Sequence, residues 1–356
     1  MKDPRQRPWP LIAIVLTALA QLACRATTSG ALAESCTRSF LRYEPSAWEK
    51  EWSQGELSGE RRDRECEILA TPTEVQRSVQ LIRSVQGAML RGMPIPQDAV
   101  PLFSRMVYSV QCGGTSRESV DLIEPLVGIL RDPFSMCPRP PAVPDDVYDT
   151  FGVGEDRVQS KRHFLTLAAT GQGKPERGPH SQNILIDIGA STFASWQNDP
   201  AAVGAMWFVD RYRRVGWTFD WIVSYEIEKL DPDVLYRSVP ADVLPHYVYF
   251  NQGVEKDPGG KWNPWRILKG SSVTPDDYVV VKLDIDAPDI ENDLVAQVMA
   301  DPALQKLIDE MFYEHHVNTK PMWPWWGTQN AKAILADSYR NFTRLRAVGI
   351  RMHSWP

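Results

Sequence analysis

The chain has 356 residues, enough for one large domain or two smaller ones. Hydrophobic residues make up 43% of it and charged residues 24%, proportions that argue against an intrinsically disordered chain. The 39 basic and 45 acidic residues give a net charge of −6, which argues against a nucleic-acid-binding surface.

The N-terminus has the composition of a secretory leader. Basic residues precede an apolar run from Leu11 to Cys24, and Ala31-Leu32-Ala33 follows as a small-residue cleavage site. The run is shorter than the roughly 20 apolar residues that a membrane-spanning helix needs. We therefore predict a signal peptide, or alternatively an uncleaved signal anchor, over residues 1–33. The predicted location is the secretory pathway, either the lumen of the endoplasmic reticulum and Golgi or outside the cell.

Cysteine spacing predicts disulfides rather than a zinc site. No pair has C-x-x-C spacing and no histidine lies nearby, so two disulfides with three possible pairings are expected among the four cysteines that follow the leader: Cys36, Cys66, Cys112 and Cys137. The sequon Asn341-Phe342-Thr343 is compatible with a luminal glycoprotein.

Residues 34–147 are predicted to form a helical, cysteine-containing region. A helix is expected to begin at Thr71-Pro72-Thr73-Glu74, which has the form of a capping box with proline at the first helical position. Further helices are expected from Ala99 to Val110 and from Ser119 to Leu130. The proline-rich stretch from Pro138 to Pro144 indicates the boundary to a second domain.

Residues 148–356 alternate between strand and helix patterns, which is typical of an α/β fold with a doubly wound parallel sheet. The expected strands are apolar runs at Asn183–Ile188, Trp221–Tyr225, Tyr278–Asp284, Met311–Val317 and Ile350–Trp355. The expected helices are Pro200–Val215 and Gln329–Val348.

Three of the predicted strands have an acidic residue at or next to their carboxyl ends. In a doubly wound sheet, ligands bind outside the carboxyl ends of the strands, where Asp187, Glu226 and Asp284 are expected to meet. The small residues Gly189 and Ala190 would let the backbone approach a ligand there. A carboxylate such as Glu226 is a natural acceptor for ribose hydroxyls. The simpler alternative is that Asp187 and Gly189 only shape a turn.

These segments resemble known motifs over about residues 180–320. Ile184–Ala190 looks like the first motif of class I methyltransferases, and Val223–Glu226 resembles their acidic second motif. Val281–Asp286 resembles the lysine-aspartate strand motif of the FkbM-type methyltransferases, and Glu310–His316 fits the strand that follows it in that family.

The resemblance implies a Rossmann-like methyltransferase sheet that binds S-adenosyl-L-methionine through Asp187, Gly189, Ala190 and Glu226. It also implies that Asp284 lies near the transferred methyl group. The chain departs from the family where Ser191-Thr192-Phe193 replaces a second glycine and where Asp286-Ala287-Pro288 replaces an acidic-glycine step. A methyltransferase fold without catalysis is therefore an alternative.

Histidine supplies the second predicted catalytic group. Adjacent side chains in a strand face opposite sides, so only one of His315 and His316 should reach the site. We expect it to be His316, which could accept the proton of a substrate hydroxyl. The alternative is a structural histidine hydrogen-bonded at a strand end.

Asp284-Ile285-Asp286 also fits the D-x-D pattern of metal-dependent glycosyltransferases, because hard oxygen ligands suit Mn²⁺ or Mg²⁺. Asp284, Asp286 and His316 could likewise hold a metal together, although the leading interpretation assigns no metal ligand.

The leading hypothesis is O-methyl transfer to a hydroxyl of a glycan or small-molecule acceptor. The aromatic stretch Pro321–Gly327 could contact that acceptor or instead pack against the N-terminal region. No nucleic-acid partner is expected, and contact with a membrane is expected only through an N-terminal anchor. A non-catalytic secreted module is the remaining alternative.

Overall fold

The computed structural model describes residues 36–91, 93–130, 134, 137–145, 164–167, 181–194, 204–326 and 332–355. The predicted leader and the predicted domain boundary at residues 147 and 148 lie outside these ranges. None of the helices in them combines the length and the apolar composition that crossing a membrane requires.

The N-terminal region contains a three-stranded antiparallel sheet with the order β1-β2-β3. A set of helices lies between its first two strands in the chain. In chain order the elements are β1 (Thr37–Glu44), α1 (Ala47–Ser58), α2 (Glu65–Leu69), α3 (Pro72–Arg91), β2 (Ser104–Cys112) and β3 (Thr115–Ile123).

Two of the helix predictions for this region are wrong. Most of the stretch from Ala99 to Val110 is β2, and Ser119 to Leu130 begins in β3 and continues as irregular chain that ends in a turn. Gly113 and Gly114 explain the error. Both have positive φ, +53° and +83°, as a two-residue hairpin turn requires, so this glycine pair reverses the chain instead of ending a helix. The region is therefore mixed α and β rather than helical.

The two expected disulfides are confirmed, and their pairing is now defined. Cys36–Cys112 joins the chain just before β1 to the last residue of β2, and Cys66–Cys137 ties α2 to a segment 71 residues farther on. Both bonds close long loops within the N-terminal region, which restricts the unfolded chain and so stabilises the fold.

The C-terminal half contains a six-stranded sheet with the order β6-β5-β4-β7-β8-β9, in which every neighbouring pair is parallel. Helical crossovers connect its strands, as parallel pairing demands. In chain order the elements are β4 (Asn183–Ile188), α4 (Ala205–Arg214), β5 (Trp221–Tyr225), α5 (Pro232–Arg237), β6 (Tyr247–Phe250), α6 (Pro264–Lys269), β7 (Tyr278–Leu283), α7 (Pro288–Ala300), α8 (Pro302–Leu307), β8 (Glu310–Tyr313), α9 (Trp323–Trp326), α10 (Leu335–Ala347) and β9 (Arg351–Ser354).

The expected parallel sheet is confirmed, and all six residues of its central strand β7 are buried. Sequence analysis missed β6, and β8 ends at Tyr313 rather than at Val317. The sequon at Asn341 lies within α10, whose Phe342 is fully buried, whereas glycosylated asparagines usually lie in surface loops.

A buried charge cluster joins the N-terminal region to the last helix and strand of the chain. It contains three acids and three bases: Glu49, Glu124, Glu310, Arg346, Arg351 and His353. Arg346 on α10 lies 3.4 Å from Glu49 and 3.3 Å from Glu124, and its guanidinium also donates to the carbonyl oxygen of Glu124. These contacts hold α10 against the chain that follows β3.

His353 lies at the centre of this cluster and bridges two carboxylates. Its Nδ1 lies 2.6 Å from Oε1 of Glu124, and its Nε2 lies 2.8 Å from Oε1 of Glu310. A carboxylate oxygen accepts, so both ring nitrogens must donate and the imidazole must be positively charged. Burial alone would lower the pKa of His353, but Glu124 and Glu310 raise it above its usual value. Burial alone would raise the pKa of Glu310, but His353 and Arg351 lower it to about 2.

Replacing His353 should change the pH dependence of stability. The folded-state pKa of His353 is raised, so its stabilisation is complete below the unfolded pKa of about 6.5 and is lost as pH rises through the folded value. We expect His353→Gln to cost about 3–5 kcal/mol at pH 6. The difference in unfolding free energy between wild type and variant should then shrink by about 1.4 kcal/mol per pH unit as the pH rises from the unfolded pKa of His353 to its folded pKa. Denaturant unfolding at several pH values measures this difference.

His246→Gln is the matched control, because His246 is exposed at the surface. It should keep the stability and pH dependence of the wild type. A difference between wild type and His353→Gln that stays constant from pH 6 to pH 9 would contradict a charged His353.

Gly189 is required where β4 and β7 leave the sheet. Its φ of +85° is one that side chains rarely adopt, and a Cβ there would lie 1.7 Å from the carbonyl oxygen of Asp284. The missing side chain therefore accommodates the neighbouring strand end.

We expect Gly189→Ala to destabilise the fold by more than about 3 kcal/mol, because a backbone clash adds to the strain of positive φ. Gly216→Ala is the control, with a φ of +83° and nothing within 4 Å of the added Cβ. It should cost only about 1–2 kcal/mol. Thermal or denaturant unfolding compares the two variants, and equal losses would show that the close approach to Asp284 is not limiting.

Candidate functional site

The carboxyl ends of the parallel strands bring the predicted site residues together. The register pairs Ile188 with Tyr225 on one side and with Leu283 on the other, so the residues that follow these three lie next to one another. We call this region the carboxyl edge. It contains every residue proposed for cofactor binding or catalysis: Asp187, Gly189, Ala190, Glu226, Asp284 and His316.

Lys282 lies at the centre of the carboxyl edge and links the ends of β4 and β7. Its ammonium donates to the carbonyl oxygen of Gly189 at 2.6 Å and lies 3.4 Å from both Asp187 and Asp284. Burial alone would lower the pKa of Lys282, but the charges of Asp284 and Asp187 raise it to about 12. Burial also raises the pKa of Asp187, and Lys282 opposes that effect. Lys282 therefore stays charged and fixes the loop after β4 to the end of β7.

Glu226 holds the same loop from the β5 side. Its two carboxylate oxygens accept from the backbone N–H of Ser191 at 2.7 Å and of Glu228 at 2.9 Å. The hydroxyl of Tyr249 donates to the carbonyl oxygen of Ser191 at 3.0 Å. Each carboxylate oxygen has a second lone pair, so Glu226 can accept further hydrogen bonds from a ligand while it keeps these contacts.

Ser191 has an unusual conformation within this loop. Its φ is +51°, and its buried hydroxyl has no hydrogen-bond partner among the residues that the structure describes. Strained backbone of this kind is concentrated at functional sites. This position was identified only as a departure from the methyltransferase motif, so no sequence pattern predicted its positive φ or its buried hydroxyl.

Asp284 lies on the other side of Lys282. Its carboxylate accepts from the indole N–H of Trp355 at 3.0 Å, and its backbone N–H donates to Ile188. Burial raises the pKa of Asp284 to about 7, Lys282 opposes the shift, and Glu314 adds to it. The contact from Trp355 could not be predicted, because it depends on where β9 joins the sheet.

A second polar group lies beyond Asp284. His316 Nε2 lies 3.2 Å from an oxygen of Glu314 and 3.8 Å from an oxygen of Asp286. His316 and Glu314 are buried, whereas the side chain of Asp286 is 86% exposed. The ring of His316 stacks on Trp326 with centroids 4.9 Å apart, and the indole N–H of Trp326 donates to Glu314 at 3.0 Å.

The two adjacent histidines lie beyond the end of β8 rather than within the strand, and they have different surroundings. His315 Nδ1 lies 2.7 Å from the hydroxyl of Ser338, and burial lowers the pKa of His315 to about 4. Only His316 belongs to the carboxyl edge. From the aromatic stretch, Trp326 reaches this edge through His316 and Glu314.

No family model, curated protein or solved structure matches the chain. The resemblance to FkbM-type methyltransferases therefore rests on the sequence motifs alone and stays a prediction.

Proposed function

We propose that the chain is an S-adenosylmethionine-dependent methyltransferase that methylates a hydroxyl of a glycan or small metabolite in the secretory pathway. The observation that carries this proposal is the position of Glu226. Its carboxylate follows β5 and lies beside the loop from Gly189 to Ser191. In nucleoside-binding sheets of this type, an acidic residue near the end of the second strand binds the ribose.

Strand order supports a nucleoside-type ligand. With β4 to β9 numbered from one to six, the sheet has the order 3-2-1-4-5-6, which is common in doubly wound dinucleotide-binding folds. In such folds the ligand occupies the crevice where the strand order reverses, here between β4 and β7. Gly189 and Asp284 follow these two strands, and Glu226 follows the adjacent strand β5.

The polar atoms of the β4 loop fit the nucleoside portion of the cofactor. Glu226 would accept from the ribose hydroxyls, and the hydroxyl of Ser191, which has no hydrogen-bond partner within the described ranges, would contribute a donor beside it. Asp187, Gly189 and Ala190 would shape the floor of this site. The bound cofactor supplies an electrophilic methyl group on a sulfonium, and that chemistry belongs to the cofactor itself.

The residues of the chain then need to orient the acceptor hydroxyl and receive its proton. Asp284 and His316 follow neighbouring strands, and Glu314 lies between them, so either could receive that proton. Alignment of acceptor and methyl group accounts for much of the rate in a transfer of this kind.

The two disulfides support the proposed location, because such bonds persist in oxidising compartments.

Calorimetry of the full chain with S-adenosylhomocysteine tests the proposal. We expect saturable one-to-one binding that Glu226→Gln weakens about ten-fold or more, since a lost charged acceptor costs about 1.4 kcal/mol or more. The near-identical shape of glutamine preserves the fold, and thermal unfolding of the variant verifies this. Glu228→Gln is the matched control, because Glu228 is exposed and undergoes the same loss of charge.

The same titration separates the alternatives. Binding of a nucleotide sugar with Mn²⁺, but not of S-adenosylhomocysteine, would favour glycosyl transfer at Asp284 and Asp286. An absence of binding to both ligands would favour a non-catalytic module. Equal affinities of wild type and Glu226→Gln would remove the role assigned to Glu226.

A further inference from the structure

A compact set of metal-ligating side chains lies beyond the proposed cofactor side of the carboxyl edge. One carboxylate oxygen each from Asp286 and Glu314 and a ring nitrogen of His316 all lie within 4.8 Å of one another. Asp286 follows β7, and Glu314 and His316 follow β8. Because these two strands are neighbours in the sheet, the three side chains lie close together.

The spacing suits a single ion. Bonds of about 2.0–2.2 Å from oxygen and nitrogen to a metal separate neighbouring ligands by about 3–3.6 Å. His316 Nε2 already lies 3.2 Å from Glu314 and 3.8 Å from Asp286, so small rotations of the exposed Asp286 would complete the arrangement. Rotation of Asp286 requires no change in the buried core.

His316 is buried, with a relative exposure of 5%. Neither of its ring nitrogens makes a hydrogen bond of normal geometry within the part of the chain that the structure describes. Buried polar atoms are nearly always satisfied, so each exception calls for a ligand or another partner. The Nε2 atom points towards Glu314 and Asp286, where a cation would satisfy it.

Trp326 orients two of the three ligands. Its ring stacks on His316 with an interplanar angle of 20°, and its indole N–H donates to Oε1 of Glu314. That hydrogen bond leaves Oε2 of Glu314 on the side of His316. Such outer contacts commonly fix the orientation of metal ligands.

We propose that Asp286, Glu314 and His316 bind one divalent transition-metal ion. One imidazole with two carboxylates suits Zn²⁺ or Mn²⁺ better than Mg²⁺ or Ca²⁺, which prefer oxygen ligands alone. Three protein ligands leave positions open, as catalytic metal sites do. This set differs from the D-x-D pair, because Glu314 replaces Asp284, whose carboxylate contacts Lys282 and Trp355.

A role for the ion follows if the proposed function holds, and that part of the inference rests on it. The open positions would bind the oxygen of the acceptor hydroxyl and favour loss of its proton. His316 would then act as a metal ligand, and Asp284 would remain to receive the proton. The metal site itself depends only on the geometry of its three ligands.

Metal titration of the full chain tests the site. Chelator-treated protein is titrated with Zn²⁺ and, separately, with Mn²⁺, by calorimetry and, for Mn²⁺, also by electron paramagnetic resonance of the free ion. We expect one ion per chain for at least one metal. Asp286→Asn should weaken that binding at least ten-fold, and because the side chain is exposed, we expect the variant to stay folded. His316→Gln should weaken it similarly.

Asp289→Asn is the matched control, because Asp289 is exposed, lies three residues beyond Asp286 and undergoes the same loss of charge. It should bind the metal like the wild type. No saturable one-to-one binding of either metal, or unchanged binding by Asp286→Asn, would overturn the proposed site. Metal binding without S-adenosylhomocysteine binding would overturn the methyltransferase proposal and leave the metal site intact, so the two failures are distinguishable.

Discussion

The buried charge cluster is the interaction on which the rest of the structure depends. Its acids Glu49 and Glu124 lie in the N-terminal region, whereas its bases lie on α10 and β9. An isolated charge in a protein interior costs several kcal/mol, so neither half can bury its charges without the other. We therefore expect β9 to pair stably with β8 only when Glu49 and Glu124 are in place. The parallel sheet and the N-terminal region therefore share one continuous hydrophobic core, and we expect them to fold as one unit.

This constraint extends to the carboxyl edge through β9. His353 is fixed by Glu124 and Glu310, and two residues later the backbone N–H of Trp355 donates to the carbonyl oxygen of Tyr313. The indole of Trp355 is thereby positioned to donate to Asp284. A region outside the methyltransferase resemblance thus determines the surroundings of a proposed catalytic carboxylate. The N-terminal region consequently contributes to the site without lying in it.

The elements that could be predicted from sequence were those buried on both faces. Runs such as Asn183–Ile188 and Trp221–Tyr225 are long, apolar and clearly bounded, and the acids at their ends had to meet because parallel strands share an edge. β6 and β9 are both four-residue strands at a border of the sheet, but three of the four residues of β6 are only partly buried, whereas all four of β9 are buried. β3 was misread because its first four residues are exposed and polar, which hides the strand alternation. Side-chain partners such as Trp326 with His316 depend on loop paths, and sequence patterns do not encode those paths.

Gly189 is needed for the close approach of two strand ends. Glycine after the first strand is usually taken as space for a cofactor, but here that space is filled by the carbonyl oxygen of Asp284. The glycine is therefore explained by sheet packing, and the case for a ligand depends on Glu226 and Ser191 instead. Lys282 contacts both parts of the carboxyl edge. Its ammonium donates to Gly189 in the loop that contains Ser191, and it lies beside Asp284 at the end of β7, the strand that precedes the proposed metal ligand Asp286. In the proposed reaction, this buried cation would separate a nucleoside side of the carboxyl edge from an acceptor side.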